Sequence, residues 1–262
     1  MMPVGKILSA ALIIVGACGC ASESGPMAPG SEQSGNTRST TEPPKTVAVS
    51  FRTSDGLTIC GDFADAKTDR GVVLLHQWNA DASTWRPYLT AFVDKGISVL
   101  AIDARGYGRS EQQGNQRFAP TWDIGHDVAG AVELLQEKGC KRIGIAGSSY
   151  GANNALLYAA AHPEVLAVAL LSPGENYHGL KIADAANQYK GKAFVLLSEG
   201  DRGVGRALDI LRSGLGDRLT SILLKGDAHG TRMLEKEPDL VKQLVQFFHD
   251  ALKAEPAAPQ AP

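Results

Sequence analysis

Ser148 and Ser149 stand side by side between Gly147 and Gly151 in "GIAGSSYGANNAL", residues 144–156. The stretch fits G-x-S-x-G with Ser149 at its centre. A serine hydroxyl is a weak nucleophile until a neighbouring base takes its proton, and a third group must orient that base. Histidines and carboxylates are therefore the residues to weigh next. His229, in "LKGDAHGTRML", follows an apolar run at 219–226 and is the candidate base. His126 and His249 fall in helical patterns, and His162 follows one just before Pro163. His178, after the run at 165–172, is the rival base. Asp201, in "KAFVLLSEGDRGV", is the candidate acid, with Glu175 and Glu199 as rivals. Along the chain the order is Ser149, Asp201, His229. Together they describe nucleophilic attack on an acyl carbon.

Strands and helices must bring these residues to one place. Near-continuous apolar runs occupy 71–76, 97–103, 142–147, 165–172, 192–199 and 219–226. Such runs predict parallel strands covered on both faces. Ahead of them "TVAVSFRT" and "LTICGDF" flank Ser54-Asp55-Gly56 and predict a hairpin. Helical spacing lies between the runs: Ile124, Val128, Ala131, Val132 and Leu135 before Gly139. Leu240, Val241, Leu244, Val245, Phe248 and Leu252 mark a last helix opened by Pro238. This alternation predicts an α/β fold with a mostly parallel sheet, its functional residues at the carboxyl ends of the strands. The junction 147–151 then joins a strand to the helix "ANNALLYAAA". In that setting the central serine occupies a sharp, strained turn, and the glycines let neighbouring elements come close. The helix N-terminus favours negative charge beside it. The plain alternative is a glycine turn with a serine N-cap.

Composition narrows the field. A formal net charge of −2 leaves no basic surplus to suggest a nucleic-acid partner. No cluster of metal-ligand spacing and no phosphate-binding glycine loop in the right context is present, so neither metal nor cofactor is expected. Cys60 and Cys140 are read as two buried free thiols.

The N-terminus reads as an export signal rather than as fold. Lys6 precedes an apolar run from Ile7 to Ala17, too short to span a bilayer. Its end, Val15-Gly16-Ala17-Cys18, resembles the lipobox of bacterial lipoproteins, in which the cysteine is lipidated; Cys20 is the rival. Residues 1–17 are then a signal peptide and 18–45 a tether, because Ser, Gly, Thr, Pro and Glu cannot bury enough surface to order it. Such a tether reaches roughly 25–30 Å. Residues 46–254 form the domain and 255–262 a disordered tail. The expected location is the bacterial cell envelope, lipid-anchored on its extracytoplasmic face.

Over residues 46–254 the chain resembles the α/β-hydrolases, and among them the compact dienelactone-hydrolase-like esterases. The resemblance is carried by the elbow at Ser149, by "LLHQWNADASTW" and "AIDARGYGRS", and by "HGTRML" around His229. It implies an α/β-hydrolase fold with a mostly parallel eight-stranded sheet, helices on both faces and no large lid. It also implies a triad of nucleophile Ser149, base His229 and acid Asp201. Backbone N–H groups of Tyr150 and Trp78, with Gln77 the runner-up, form the oxyanion hole. His76, Asp103 and Arg105 are read as structural braces. The chain departs from the family at Gln77, where glycine is usual, and in having serine where dienelactone hydrolases have cysteine. The segment 173–191 has room for a loop and one short helix, so Trp78, Tyr150 and Tyr177 line a small pocket. The expected activity is hydrolysis of small-molecule carboxylic esters, with short acyl groups preferred. Amide hydrolysis on the same triad, and a non-catalytic binding lipoprotein of the same fold, are the alternatives.

Overall fold

In the computed structural model, residues 45–112 and 123–253 are described. The expected signal peptide, Cys18, Cys20, the tether up to residue 44 and the tail lie outside them. Eight strands form one sheet: β1 (Thr46–Arg52), β2 (Thr58–Ala64), β3 (Arg70–Leu75), β4 (Ser98–Ile102), β5 (Arg142–Ser148), β6 (Val165–Leu171), β9 (Lys192–Ser198) and β10 (Leu219–Leu224). Their order is β1-β2-β4-β3-β5-β6-β9-β10. β1 and β2 pair antiparallel, as do β2 and β4, while every pair from β4 to β10 is parallel. β7 (Asn176–Tyr177) and β8 (Leu180–Lys181) form a separate two-stranded hairpin.

Each central strand is apolar along most of its length because it serves two cores. Along β3, Val73 and Leu75 face one core while Val72 and Leu74 face the other. Along β9, Val195 and Leu197 alternate in the same way with Phe194 and Leu196. The first core takes helices α2 (Gly125–Glu137), α3 (Tyr150–Ala161), α4 (Ala183–Gln188) and α5 (Val204–Leu215). The second takes α1 (Leu89–Asp94), α6 (Arg232–Lys236) and α7 (Pro238–Ala251). In α5 the buried residues Ala207, Leu208, Leu211 and Leu215 recur at helical spacing, which puts one stripe on the sheet. α7 starts at Pro238, whose missing N–H is no loss in a first turn.

Cys60 and Cys140 are both free; Cys140 is buried as expected, whereas Cys60 is only half-buried. The segment 173–191 holds more than a loop and one helix. The β7–β8 hairpin precedes α4, and it matters for the site.

Candidate active site

The carboxyl ends of β3, β5, β6, β9 and β10 form one rim. Ser149 lies between β5 and α3 at φ 55°, ψ −120°, a region that non-glycine residues avoid and that costs of order 1–3 kcal/mol. Its N–H donates to the Leu171 carbonyl oxygen at 2.7 Å, which helps hold the turn. The flanking glycines have a steric reason. A methyl group at Gly151 would meet the His76 carbonyl oxygen at 2.5 Å and that of Leu75 at 2.9 Å. One at Gly147 would strike the Gly151 backbone. Any side chain at either position pushes α3 off the sheet. Ser148, by contrast, ends β5 with its side chain fully buried.

Asp201 and His229 come from the two turns after β9 and β10. The Asp201 Oδ2 to His229 Nδ1 distance is 2.6 Å. Burial alone would raise the Asp201 pKa. The hydrogen bond and charge of His229, the Ser172 hydroxyl and the Arg202 backbone N–H outweigh it and hold the carboxyl below its ordinary value. With Nδ1 occupied, Nε2 is the His229 nitrogen left for a nucleophile. The two turns are lashed together. Gly200 N–H donates to Gly226 O at 2.8 Å, and the buried Ser198 hydroxyl donates to Ala228 O at 2.6 Å.

Ser149 and His229 line one cavity of about 340 Å³ with Gln77, Trp78, Tyr150, Tyr177 and His178. The cavity thus gathers the sequence-predicted nucleophile and base with all three candidate oxyanion residues. Tyr150 opens α3, where backbone N–H groups point out of the helix end. The Gln77 side chain is held by the His229 turn, its Oε1 accepting from the Thr231 hydroxyl at 3.3 Å. His178 stands at the cavity mouth, its ring tilted against Trp78 at 6.3 Å. Glu175 faces elsewhere and pairs with Arg206 at 2.9 Å, and Glu199 is exposed.

His76, Asp103 and Arg105 form the floor. His76 is 1 % exposed; its Nε2 accepts from Ala104 N–H at 3.0 Å, so Nδ1 bears the proton and donates to Gln77 O at 2.8 Å. Burial depresses its pKa and keeps it neutral. Asp103 accepts from Ala82 N–H and from Arg109, fastening the loop after β3 to the turn after β4. Arg105 binds Asp127 on α2 and Asp55 in the first hairpin, and these pairings outweigh the burial of its charge.

Sequence reasoning missed Ser172. It follows β6 at φ 53°, fully buried. Its Oγ accepts from Gly230 N–H at 3.0 Å in the base turn, and its hydroxyl is among the groups that lower the Asp201 pKa. The only signal was its place at a strand's carboxyl end. Tyr177 was read as lining alone, and its phenol also donates to the Ser172 carbonyl oxygen at 3.2 Å. Among the described residues, no group of His, Cys, Asp and Glu is assembled to hold a metal ion, and no helix is long and apolar enough to cross a membrane.

Strand order, elbow and rim define the class: the chain has the α/β-hydrolase fold, with an eight-stranded, mostly parallel sheet. The family model described as alpha/beta hydrolase fold matches residues 71–194. Epoxide hydrolase B of Mycobacterium tuberculosis is 34% identical over 93 residues, 36% of this chain and 25% of that protein. Non-heme chloroperoxidase of Streptomyces lividans is 34% identical over 119 residues, 45% of this chain and 42% of that one. The chain therefore spans less than half the length of these relatives. Among solved structures, an esterase of Pyrococcus furiosus superposes with a TM-score of 0.69 at 18% identity, covering 84% of this chain and 96% of its own.

Proposed function

We propose that the protein is a serine hydrolase that cleaves carboxylic esters with short acyl groups. One observation carries the reading: Ser149, strained at φ 55° beneath a helix N-terminus, shares a cavity with His229, whose Nδ1 is bound to Asp201. His229 Nε2 takes the Ser149 proton as Oγ attacks the acyl carbon. Asp201 orients the imidazole and stabilises the imidazolium. The backbone N–H groups of Tyr150 and Trp78 receive the oxyanion, with Gln77 as the alternative donor. His229 then returns the proton to the leaving alkoxide, and water activated by the same nitrogen releases the acid. Nothing in these steps calls for a cofactor.

The relatives include proteins named as epoxide hydrolases, and the nucleophile argues against that chemistry here. A serine opening an epoxide would be left as an alkyl ether, which a histidine-activated water does not hydrolyse. An acyl-serine ester is turned over readily. The small cavity favours short acyl chains, since pockets for larger ligands run to about 1,000 Å³.

The test is turnover of p-nitrophenyl and alkyl esters with fluorophosphonate labelling of the full chain. Labelling at Ser149 together with ester turnover supports the reading; an unlabelled protein that only binds esters refutes it. Equal or faster turnover of matched amides would instead favour the amide-hydrolase reading. We also propose export and lipidation at Cys18, which would hold the hydrolase at a membrane surface. Mass spectrometry of the mature N-terminus tests this, and a chain beginning at Cys20 or later refutes it.

A further inference from the structure

Another cavity, of about 860 Å³, lies at the opposite end of the sheet from Ser149. Its lining takes Lys192 and Phe194 from the start of β9, Thr220 from the start of β10, and Gln243, Gln246 and Phe247 from α7. These are the amino ends of the strands, about 20 Å from the catalytic rim for strands of this length. The space exists because β10 is the edge strand, while α7 packs beside it on β6 and β9. The floor is aromatic: Phe194 and Phe247 stack with ring centroids 5.4 Å apart.

Charge rims this floor unevenly. Lys95, Lys192, Arg218 and Lys242 line the cavity against Asp217 and Asp250. Lys95 donates to Gln246 Oε1 at 3.1 Å, and Lys242 is paired with Asp239 at 2.7 Å. Asp250 is already engaged, accepting from Gln246 Nε2 at 2.7 Å and lying 3.1 Å from His249. Arg218 is the odd member. Its Nε, Nη1 and Nη2 donate to the carbonyl oxygens of Leu215, Tyr189 and Gly214. Three backbone acceptors thus fix the guanidinium, while no carboxylate among the described residues pairs with it. A guanidinium has five N–H donors, so two remain for a ligand. Ala193 and Leu219 are partners across β9 and β10, which sets Lys192 and Arg218 side by side just before them. A fixed, uncompensated cation beside a lysine and an aromatic floor suits an acidic headgroup that carries an alkyl chain.

Where the chain enters the domain selects the source of such a headgroup. Thr46, the first residue of β1, pairs with Ala64, and Ala64 pairs with Val99 near the start of β4. The chain before residue 46 therefore joins the domain at the end that holds this cavity. We propose that this end is a docking surface for an anionic bilayer: Arg218 and Lys192 take a lipid phosphate, and an acyl chain lies on Phe194 and Phe247. Each cation held near an anionic membrane strengthens partition by about fivefold. Docked in this way, the domain turns the rim with Ser149 and His229 away from the lipid and toward water. The proposal needs neither the esterase reading nor lipidation at Cys18, although an anchor would add to the binding.

The test is flotation of the full chain on vesicles, with Cys18→Ser and Cys20→Ser to keep any lipid anchor out. Phosphatidylcholine vesicles are compared with vesicles that also contain phosphatidylglycerol. Partition should be stronger on the mixed vesicles by about twenty-five-fold, the factor for two cations, and should fall as salt is raised. Lys192→Gln should lose about fivefold of this, and Lys192→Gln with Arg218→Gln about twenty-five-fold. Lys192 is exposed, so its variant keeps the fold even where loss of the Arg218 bonds loosens the turn before β10. Circular-dichroism melts check both variants. Lys225→Gln, an exposed cation past the other end of β10, should change nothing. Equal partition on both vesicle types overturns the proposal. So does a double variant that binds as tightly as its parent, or a loss in Lys225→Gln as large as that in Lys192→Gln. Calorimetry with myristate below its micellar concentration separates the remaining source. A protein that binds myristate through Arg218 and Lys192 but ignores the mixed vesicles takes a free amphiphile, and membrane docking is overturned.

Discussion

Ser148 and Ser149 are adjacent and chemically identical, yet the elbow gives them opposite surroundings. The Ser149 side chain lines the cavity, while the Ser148 hydroxyl is buried without a hydrogen-bond partner among the described atoms. Ser149→Ala should abolish ester turnover and probe labelling and leave the fold intact. Ser148→Ala should keep most of the activity and be neutral to stabilising by about 1 kcal/mol, because it removes an unsatisfied buried hydroxyl. Activity assays and urea unfolding of both variants check this pair, and reversed activities would overturn the assignment of Ser149. Asp201 makes the same distinction among carboxylates. Asp201→Asn should cut kcat by roughly 10⁴-fold, as in triads where the imidazole is left in the wrong tautomer. Glu175→Gln should change kcat little, since Glu175 is engaged with Arg206 on the surface.

At the scale of elements, the elbow depends on backbones touching. Gly151 lies against the Leu75 and His76 carbonyls, so the tip of β3, the loop after it and the start of α3 have no room for a side chain. Gly151→Ala should destabilise by about 1–3 kcal/mol, the usual range for overpacking, and should lower activity more than stability predicts because Ser149 shifts with the helix. Circular-dichroism melts beside kcat measurements separate the two effects. The His76 brace leads to a pH prediction. Its folded pKa lies below the free value of 6.5, so between the two values the unfolded chain binds the extra proton. Stability from this group is full above pH 6.5 and is lost as pH falls toward the folded pKa. Asp55 and Asp201, both depressed, act in a separate window below the ordinary carboxylate range of about 4. Urea midpoints should therefore already fall between pH 7.5 and 5, and His76→Gln should flatten that slope.

For the whole molecule, the relevant comparison is between the cavity and what covers it. The hairpin with Tyr177 and His178 closes one side of a space of only about 340 Å³, and no larger cap follows before α4. Each extra buried methylene is worth about 0.8 kcal/mol only if there is wall to bury it against. kcat/KM should therefore peak at acetate to butyrate in a p-nitrophenyl series and fall toward palmitate, with no jump above the solubility limit. A rise toward long chains would show that the acyl group runs outside this cavity. Asn153 of the nucleophile helix holds this small cap directly, donating to Gly174 O and Leu180 O on either side of it.

The α/β sheet was legible in the sequence because strands covered on both faces must be apolar at nearly every position; the runs at 71–76, 142–147 and 192–199 match β3, β5 and β9 to within a residue. Ser149, Asp201 and His229 were legible as candidates because each follows such a run, and strand ends share a rim. β7–β8 was not legible: two-residue strands carry no periodicity, and their stability comes from Asn153, more than twenty residues away in sequence. Chain order pointed to Asp201 over Glu175, but which carboxylate meets His229 and which meets Arg206 depends on how the turns face one another. Ser172 and Tyr177 belong to the same class. A lone serine or tyrosine has no sequence signature, and only packing decides that the Ser172 hydroxyl accepts from Gly230 in the His229 turn and that the Tyr177 hydroxyl donates to the Ser172 carbonyl. Local chain order determined the strands and the strained elbow, because those depend on side-chain pattern and backbone sterics. Tertiary packing decided the hydrogen-bond partners, because they depend on distances between turns far apart along the chain.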